Sequence, residues 1–162
     1  MAVVGIDHVA FPTADAERLL VFYKALGFTV AGENEWRSGA RPEFSLACGD
    51  CKISVHPETM VRLRGDPGYI RAPTAEAGCA NLCFVWEGGV AALLHVLREN
   101  AVEPIRGPVR RIGGRSGGSA VGASVYFRDP DDNLIEFISY EEMDVNACPM
   151  PTGTHWWATS SE

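Results

Sequence analysis

The chain has 162 residues, 46% hydrophobic and 22% charged, the composition of one folded globular domain. A formal net charge of −7 and a pI near 5.1 speak against nucleic acid or an acidic membrane as partner, since both need a basic face. No run reaches the roughly 18 apolar residues of a membrane span, the first five residues lack the basic and apolar parts of a signal peptide, and five cysteines in a chain of this size read as reduced thiols of a cytoplasmic protein.

In chain order, residues 5–11 form an apolar, strand-like run. Residues 14–26 carry Leu19, Leu20, Phe22, Tyr23 and Leu26 at helical spacing, with Thr13 as the expected N-cap, Asp15 and Glu17 in the first turn, and Gly27 as the stop. Residues 28–31, 43–48 and 52–56 read as strands, the last two joined as a hairpin at Gly49-Asp50. Residues 57–78 hold three prolines and no period, and form a linker. The order then repeats: strand 79–86, helix 89–100 with Val90, Leu93, Leu94 and Leu97 on one face, and strands 103–106, 123–127 and 134–139. Asp129-Pro130-Asp131-Asp132 is the turn between the last two.

This is βαβββ twice, an α+β fold of two modules (residues 4–56 and 79–140) in a single domain spanning 1–140. One such unit leaves a sheet face uncovered, so pairing two closes a half-barrel with a ligand cleft between them. His8 in the first strand matches Asn81 in the fifth at an offset of 73 (81 − 8), and His56 in the fourth matches Glu136 in the eighth at an offset of 80 (136 − 56). Strand alternation lets all four point into that cleft. Cys48/Cys51 and Cys79/Cys83 could in principle hold a structural zinc; the simpler expectation is small buried hydrophobes.

Asp7-His8-Val9-Ala10-Phe11, followed by a helix ending Phe22-Tyr23-x-x-Leu26-Gly27-Phe28, resembles the opening of the glyoxalase, bleomycin-resistance and extradiol-dioxygenase proteins, the vicinal oxygen chelate superfamily. Residues 126–136, Tyr-Phe-Arg-Asp-Pro-Asp-x-Asn-Leu-Ile-Glu, resemble their closing motif, and Gly107-Pro108-Val109 before a basic, glycine-rich loop resembles the glyoxalase-domain-containing subgroup. The resemblance implies that the four corresponding positions surround a divalent metal. Carried over, the ligands are His8, His56 and Glu136, while Asn81, a poor ligand for zinc or iron, orients water or substrate. It also implies a small-molecule substrate and frequent homodimers, in some of which two chains build the cleft.

Two imidazoles and one carboxylate leave coordination positions open. Fe(II) is the favoured ion, with Zn, Mn, Ni or Co compatible, and the leading expectation is a dioxygenase acting on a catechol-like substrate with O₂. One alternative is a glyoxalase-like lyase or isomerase acting through an enediolate on a dicarbonyl-like substrate, with Glu136 as both ligand and catalytic base. A further alternative is a protein that sequesters a ligand without metal or catalysis. Ser54 and Tyr126 are expected to line the pocket by strand parity. The loop 110–122 is either a lid presenting Arg115 to an anionic substrate or a solvated hairpin loop. His95 is expected at the surface or packing on its helix. The tail 141–162, with Trp156-Trp157, is too apolar to stand in water and is expected to pack on its own or a partner subunit.

Overall fold

The structure, a computed structural model, describes residues 2–141. Two four-stranded sheets share one plan. Strands β1 (His8–Pro12), β2 (Val30–Ala31), β3 (Phe44–Cys48) and β4 (Cys51–His56) make the first, in the order β1-β4-β3-β2. Strands β5 (Asn81–Val85), β6 (Arg106–Ile112), β7 (Val121–Arg128) and β8 (Leu134–Ser139) make the second, in the order β5-β8-β7-β6. In each, the first and last strands run parallel and the others antiparallel, which requires a crossover after the first strand. Helices α1 (Ala16–Ala25) and α4 (Val90–Glu99) supply those crossovers. Short helices α2 (Glu33–Arg37) and α3 (Glu58–Val61) lie in the connections, and a tight turn with positive φ at Ser116, Gly117 and Gly118 follows β6. The repeat expected from the sequence is therefore present as two βαβββ units of one α+β fold.

Helix α1 starts one turn element later than expected. Asp15, not Thr13, caps it, accepting a hydrogen bond from the Arg18 N–H at 3.0 Å. Thr13 is diverted because its hydroxyl donates to Asp131 in the other module. Gly27 follows the helix at φ +91°, a left-handed conformation that ends it at little cost to glycine. Strand β6 also differs: it begins where the expected strand ends, and it takes in Arg110 and Arg111. A register shift between Arg106 and Val109 absorbs Pro108, which has no N–H to give the ladder.

Both modules contribute to a single core. Leu19, Leu20 and Tyr23 of α1 and Leu93 and Leu97 of α4 are fully buried, together with Phe44, Val55, Val125, Phe127 and Phe137 from the strands. Burying each such side chain is worth roughly 1.5–3 kcal/mol. Phe28 sits at the seam, edge-on to Tyr23 at 5.1 Å and to Phe84 at 5.0 Å. The helix-bearing faces of the two sheets thus converge. Their opposite faces, carrying His8 on one sheet and Glu136 on the other, are left open. Among the described residues, strands β1 and β5 pair only with β4 and β8. The two units are thus the expected α+β architecture, with no closed barrel, and helices α1 and α4 pack into the core that the two sheets share.

One turn locks the modules together. Asp129 accepts from the N–H groups of Asp131 (2.9 Å) and Asn133 (3.0 Å), from the Asn133 amide (2.8 Å), and from the Tyr23 hydroxyl of α1 (2.9 Å). Burial pushes the Asp129 carboxyl above its usual range, and these donors oppose the shift. Tyr23→Phe removes the donor that the other module supplies. A loss of about 1–3 kcal/mol in urea denaturation is expected. Unchanged stability would mean that the hydroxyl does not lock α1 to the turn.

Two open sheet faces as the candidate functional site

On the first sheet, parallel register puts His8 opposite Lys52, Ala10 opposite Ser54 and Pro12 opposite His56. His8 stands half exposed on edge strand β1, with Nδ1 2.5 Å from the Asp7 carboxylate. The imidazole hydrogen bond and charge hold the Asp7 carboxyl below its usual range. A carboxylate on one ring nitrogen orients the imidazole and strengthens the other as a donor to a metal.

His56 lies four residues beyond the position opposite His8, about 13 Å along the strand. Two imidazoles cannot meet on one ion across that distance at bond lengths of about 2 Å. Both ring nitrogens of His56 are also engaged: Nδ1 is 2.7 Å from the Tyr69 hydroxyl and Nε2 is 3.3 Å from the Glu43 carboxylate. The register thus corrects the expected trio. In the second sheet Asn81 lies opposite Leu134 and Cys83 opposite Glu136. With Asn81 equivalent to His8, the partner of Glu136 is Ser54, at an offset of 82 (136 − 54). The offset of 80 was one strand step short.

On the second sheet, Glu136 Oε1 accepts from the Ser124 hydroxyl at 2.5 Å. Cys83 and Tyr126 flank it on neighbouring strands at the same level. Burial, then the Glu136 charge, push the Cys83 thiol up to about 12, and burial raises the Tyr126 phenol as well. Both groups therefore stay protonated at neutral pH and act as donors, not nucleophiles. Arg111 donates from Nε to the Tyr126 hydroxyl at 3.0 Å, and so fixes the ring that flanks Glu136. Asn81 is exposed at the start of β5. Arg115 stacks over Tyr140 at 4.7 Å, and both line a cavity of about 650 Å³ that reaches Cys83. The connection after β6 is thus a hairpin loop folded against its own sheet.

The predicted residues fall into two half-sites. His8, Ser54 and His56 share one sheet face; Asn81, Tyr126 and Glu136 share the other, with Arg115 at its edge. Among the described residues of one chain, no three His, Cys, Asp or Glu side chains are gathered to hold a metal. The donors that fit a divalent ion are His8 on one face and Glu136 on the other, with Asn81 on the same face as the latter, two residues along β5 from the position opposite it. The described cysteines do not form the zinc site weighed above: Cys48 packs half-buried against the core, Cys51 is half-buried, and Cys79 and Cys83 are exposed residues, the Cys83 thiol being the part turned toward Glu136. Cys148 and the rest of the tail lie outside the described residues. His95 is exposed on α4.

Sequence reasoning missed Ser124, Glu43, Tyr69 and Arg71. Ser124 was within reach, being two residues before Tyr126 on one strand and so on the same face. Tyr69 and Arg71 lie in the aperiodic 57–78 segment, where no spacing signals a face.

The family described as Glyoxalase/Bleomycin resistance protein/Dioxygenase superfamily matches residues 5–137. A glyoxalase domain-containing protein, RDO1, of Mycosarcoma maydis is 31% identical over 144 residues, covering 88% of this chain and 72% of that one. The virulence protein STM3117 of Salmonella typhimurium is 28% identical, and its crystal structure matches at a TM-score of 0.69 over 86% of this chain and 99% of that one. An integron cassette protein of V. cholerae matches at a TM-score of 0.69 and 29% identity, over 87% of this chain and 98% of its own.

Burial holds the His56 imidazole below its ordinary value, Arg71 adds to that, and Glu43 opposes it. A ring titration by NMR is therefore expected below about 6.5, rising in Arg71→Gln and falling further in Glu43→Gln. Because the folded value is the lower one, the unfolded chain binds more protons in that window. Stability at this site is lost as pH falls from about 6.5 toward the folded value. A midpoint at or above the ordinary value would contradict the environment described.

Proposed function

The chain belongs to the Glyoxalase/Bleomycin resistance protein/Dioxygenase superfamily, and we propose that it is a metal-dependent enzyme whose catalytic cleft is completed by a second copy. The observation carrying this reading is the separation of His8 from Glu136 onto two open faces of one chain. In a two-fold dimer the first sheet of one copy can face the second sheet of the other, giving two equivalent clefts. Strands β1 and β5 favour this, since each offers an unpaired edge and exposed apolar side chains, Val9 (37% exposed) and Val85 (51%).

In each cleft, His8 from one copy and Glu136 and Asn81 from the other would hold the ion, with Ser54 facing it. Such an ion would act as a Lewis acid on two neighbouring oxygens of a small substrate. Ser124 fixes one oxygen of Glu136, and Cys83 and Tyr126 present hydrogen-bonding protons at the same carboxylate. Glu136 is then the group that takes and returns a proton beside the bound oxygens. Arg111 holds Tyr126 in place for that work.

The register favours the lyase or isomerase reading over the dioxygenase. Fe(II) oxygenases rest on two imidazoles and a carboxylate, and His56 stands apart from His8. One imidazole with carboxylate and amide oxygens suits a harder ion such as Mn(II).

Two measurements test the proposal. His8→Ala and Glu136→Ala chains are each expected to lose metal affinity at least about tenfold. On mixing and re-forming dimers, one cleft per mixed pair is intact, restoring about a quarter of the metal content. Mixing that restores nothing would overturn the shared cleft. Metal-loaded protein is expected to isomerise hemithioacetals without consuming oxygen, and Glu136→Gln to lower turnover by about a hundredfold or more. Oxygen uptake on catechols would instead support the dioxygenase, and absence of both metal and turnover the sequestering protein.

A further inference from the structure

We propose that the cavity beneath the 57–78 segment binds a small monocarboxylic acid, with Arg71 as the anchor for its acid group. The segment folds back over the first sheet and encloses about 330 Å³ between Tyr69, Ile70 and Arg71 on one side and Ala10, Pro12 and His56 on the other. A space of that size takes a compact ligand. The strand residues Ala10 and Pro12, with Ala72 and Ala75 from the segment, give it apolar walls.

Arg71 shares its carboxylate, Glu76, with a second guanidinium. Glu43 lies within 3.9 Å of Arg41, and Glu76 is paired with Arg64 while standing 3.5 Å from Arg71. These ion pairs set three guanidinium groups, Arg41, Arg64 and Arg71, against two carboxylates, so the Arg71 charge is only partly compensated. Its side chain is only 8% exposed. Nη2 donates to the Ala75 carbonyl and Nε reaches the Ala72 carbonyl at 3.5 Å, but Nη1 is buried without an acceptor. A buried cation with an unused donor is costly unless an anion supplies the missing partner, and a guanidinium matches a carboxylate two-pronged.

Polar surroundings set the selectivity. Tyr69 is tied to His56 at 2.7 Å, and Glu43 lies on the far side of that imidazole, 3.3 Å away. One cation, a neutral imidazole and a nearby carboxylate match a single negative charge better than a dianion. The apolar walls favour a ligand with a hydrocarbon body.

Ala10 is two residues from His8 on the same strand face, about 7 Å along it. An acid held at Arg71 therefore extends toward His8, making this the acid-anchoring end of the proposed cleft. That placement rests on the proposed function; the acid site does not.

The test is calorimetric titration of the metal-free full chain with benzoate, with inorganic phosphate as competitor. Saturable one-to-one binding is expected, weakened at least tenfold by Arg71→Gln, partly rescued by Arg71→Lys, and indifferent to phosphate. Ala75→Leu, which fills the cavity and spares the arginine, is expected to weaken it as much. Arg62→Gln, on the same segment outside the cavity, is expected to change it less than twofold. Absence of saturable binding, full affinity in Arg71→Gln or Ala75→Leu, equal loss in Arg62→Gln, or equal competition by phosphate would each overturn the proposal. Glu136→Gln separates it from the metal reading. Benzoate binding is expected unchanged in that variant, so a protein that takes benzoate but no metal refutes only the proposed function.

Discussion

The buried hydrogen bond from Tyr23 to Asp129 joins the two halves of this protein. A carboxylate in that position is tolerable only while its oxygens are satisfied, and three of its four donors come from its own turn. The fourth belongs to α1 of the other module. Thr13 and Ala14 reinforce it by bonding Asp131 of the same turn. The clamp fixes which faces of the two sheets meet. Once the helix-bearing faces are held together, the other two carry His8 and Glu136, the first of them partly covered by the 57–78 segment.

The cavity of about 650 Å³ is lined from both units, by Cys48 and Gly49 of one and Cys83 and Arg115 of the other, and not by His8 or Glu136. His8 and Glu136 are each built for use. Asp7 orients the first, while Ser124, with the Arg111–Tyr126 pair, surrounds the second. Their separation is what the proposed two-copy cleft rests on, with the edges of β1 and β5 as its proposed seat.

The repeat was legible because helix and strand periods are strong signals over lengths of five to ten residues. Helices α1 and α4, both hairpins and the Asp129 turn came through with small shifts at their ends. Register was not legible. Matching His56 to Glu136 by counting assumes that both modules pair their first and last strands identically, whereas a displacement of two residues keeps the same side-chain face and leaves the hydrophobic pattern intact. Parity therefore identified the right face and the wrong residue. Ser54 was named on parity alone, and it is the residue the ladder sets opposite Ala10, at the level matching Glu136.

The 57–78 segment shows a different limit. Its prolines and lack of period marked it as a connection, and connections are where binding groups are presented on a rigid scaffold. No local pattern says that Arg71 turns inward while Arg62 stays at the surface. That difference arises from the path of the chain back across β1 and β4, which brings Tyr69 to His56 and Arg71 beside them. The imidazole expected to hold a metal is thereby engaged on both nitrogens. Losing His56 from the metal set and finding it beside Arg71 are therefore one event: the fold divides the open face of the first sheet between His8 at one end of its strands and the cavity lined by His56 and Arg71 at the other.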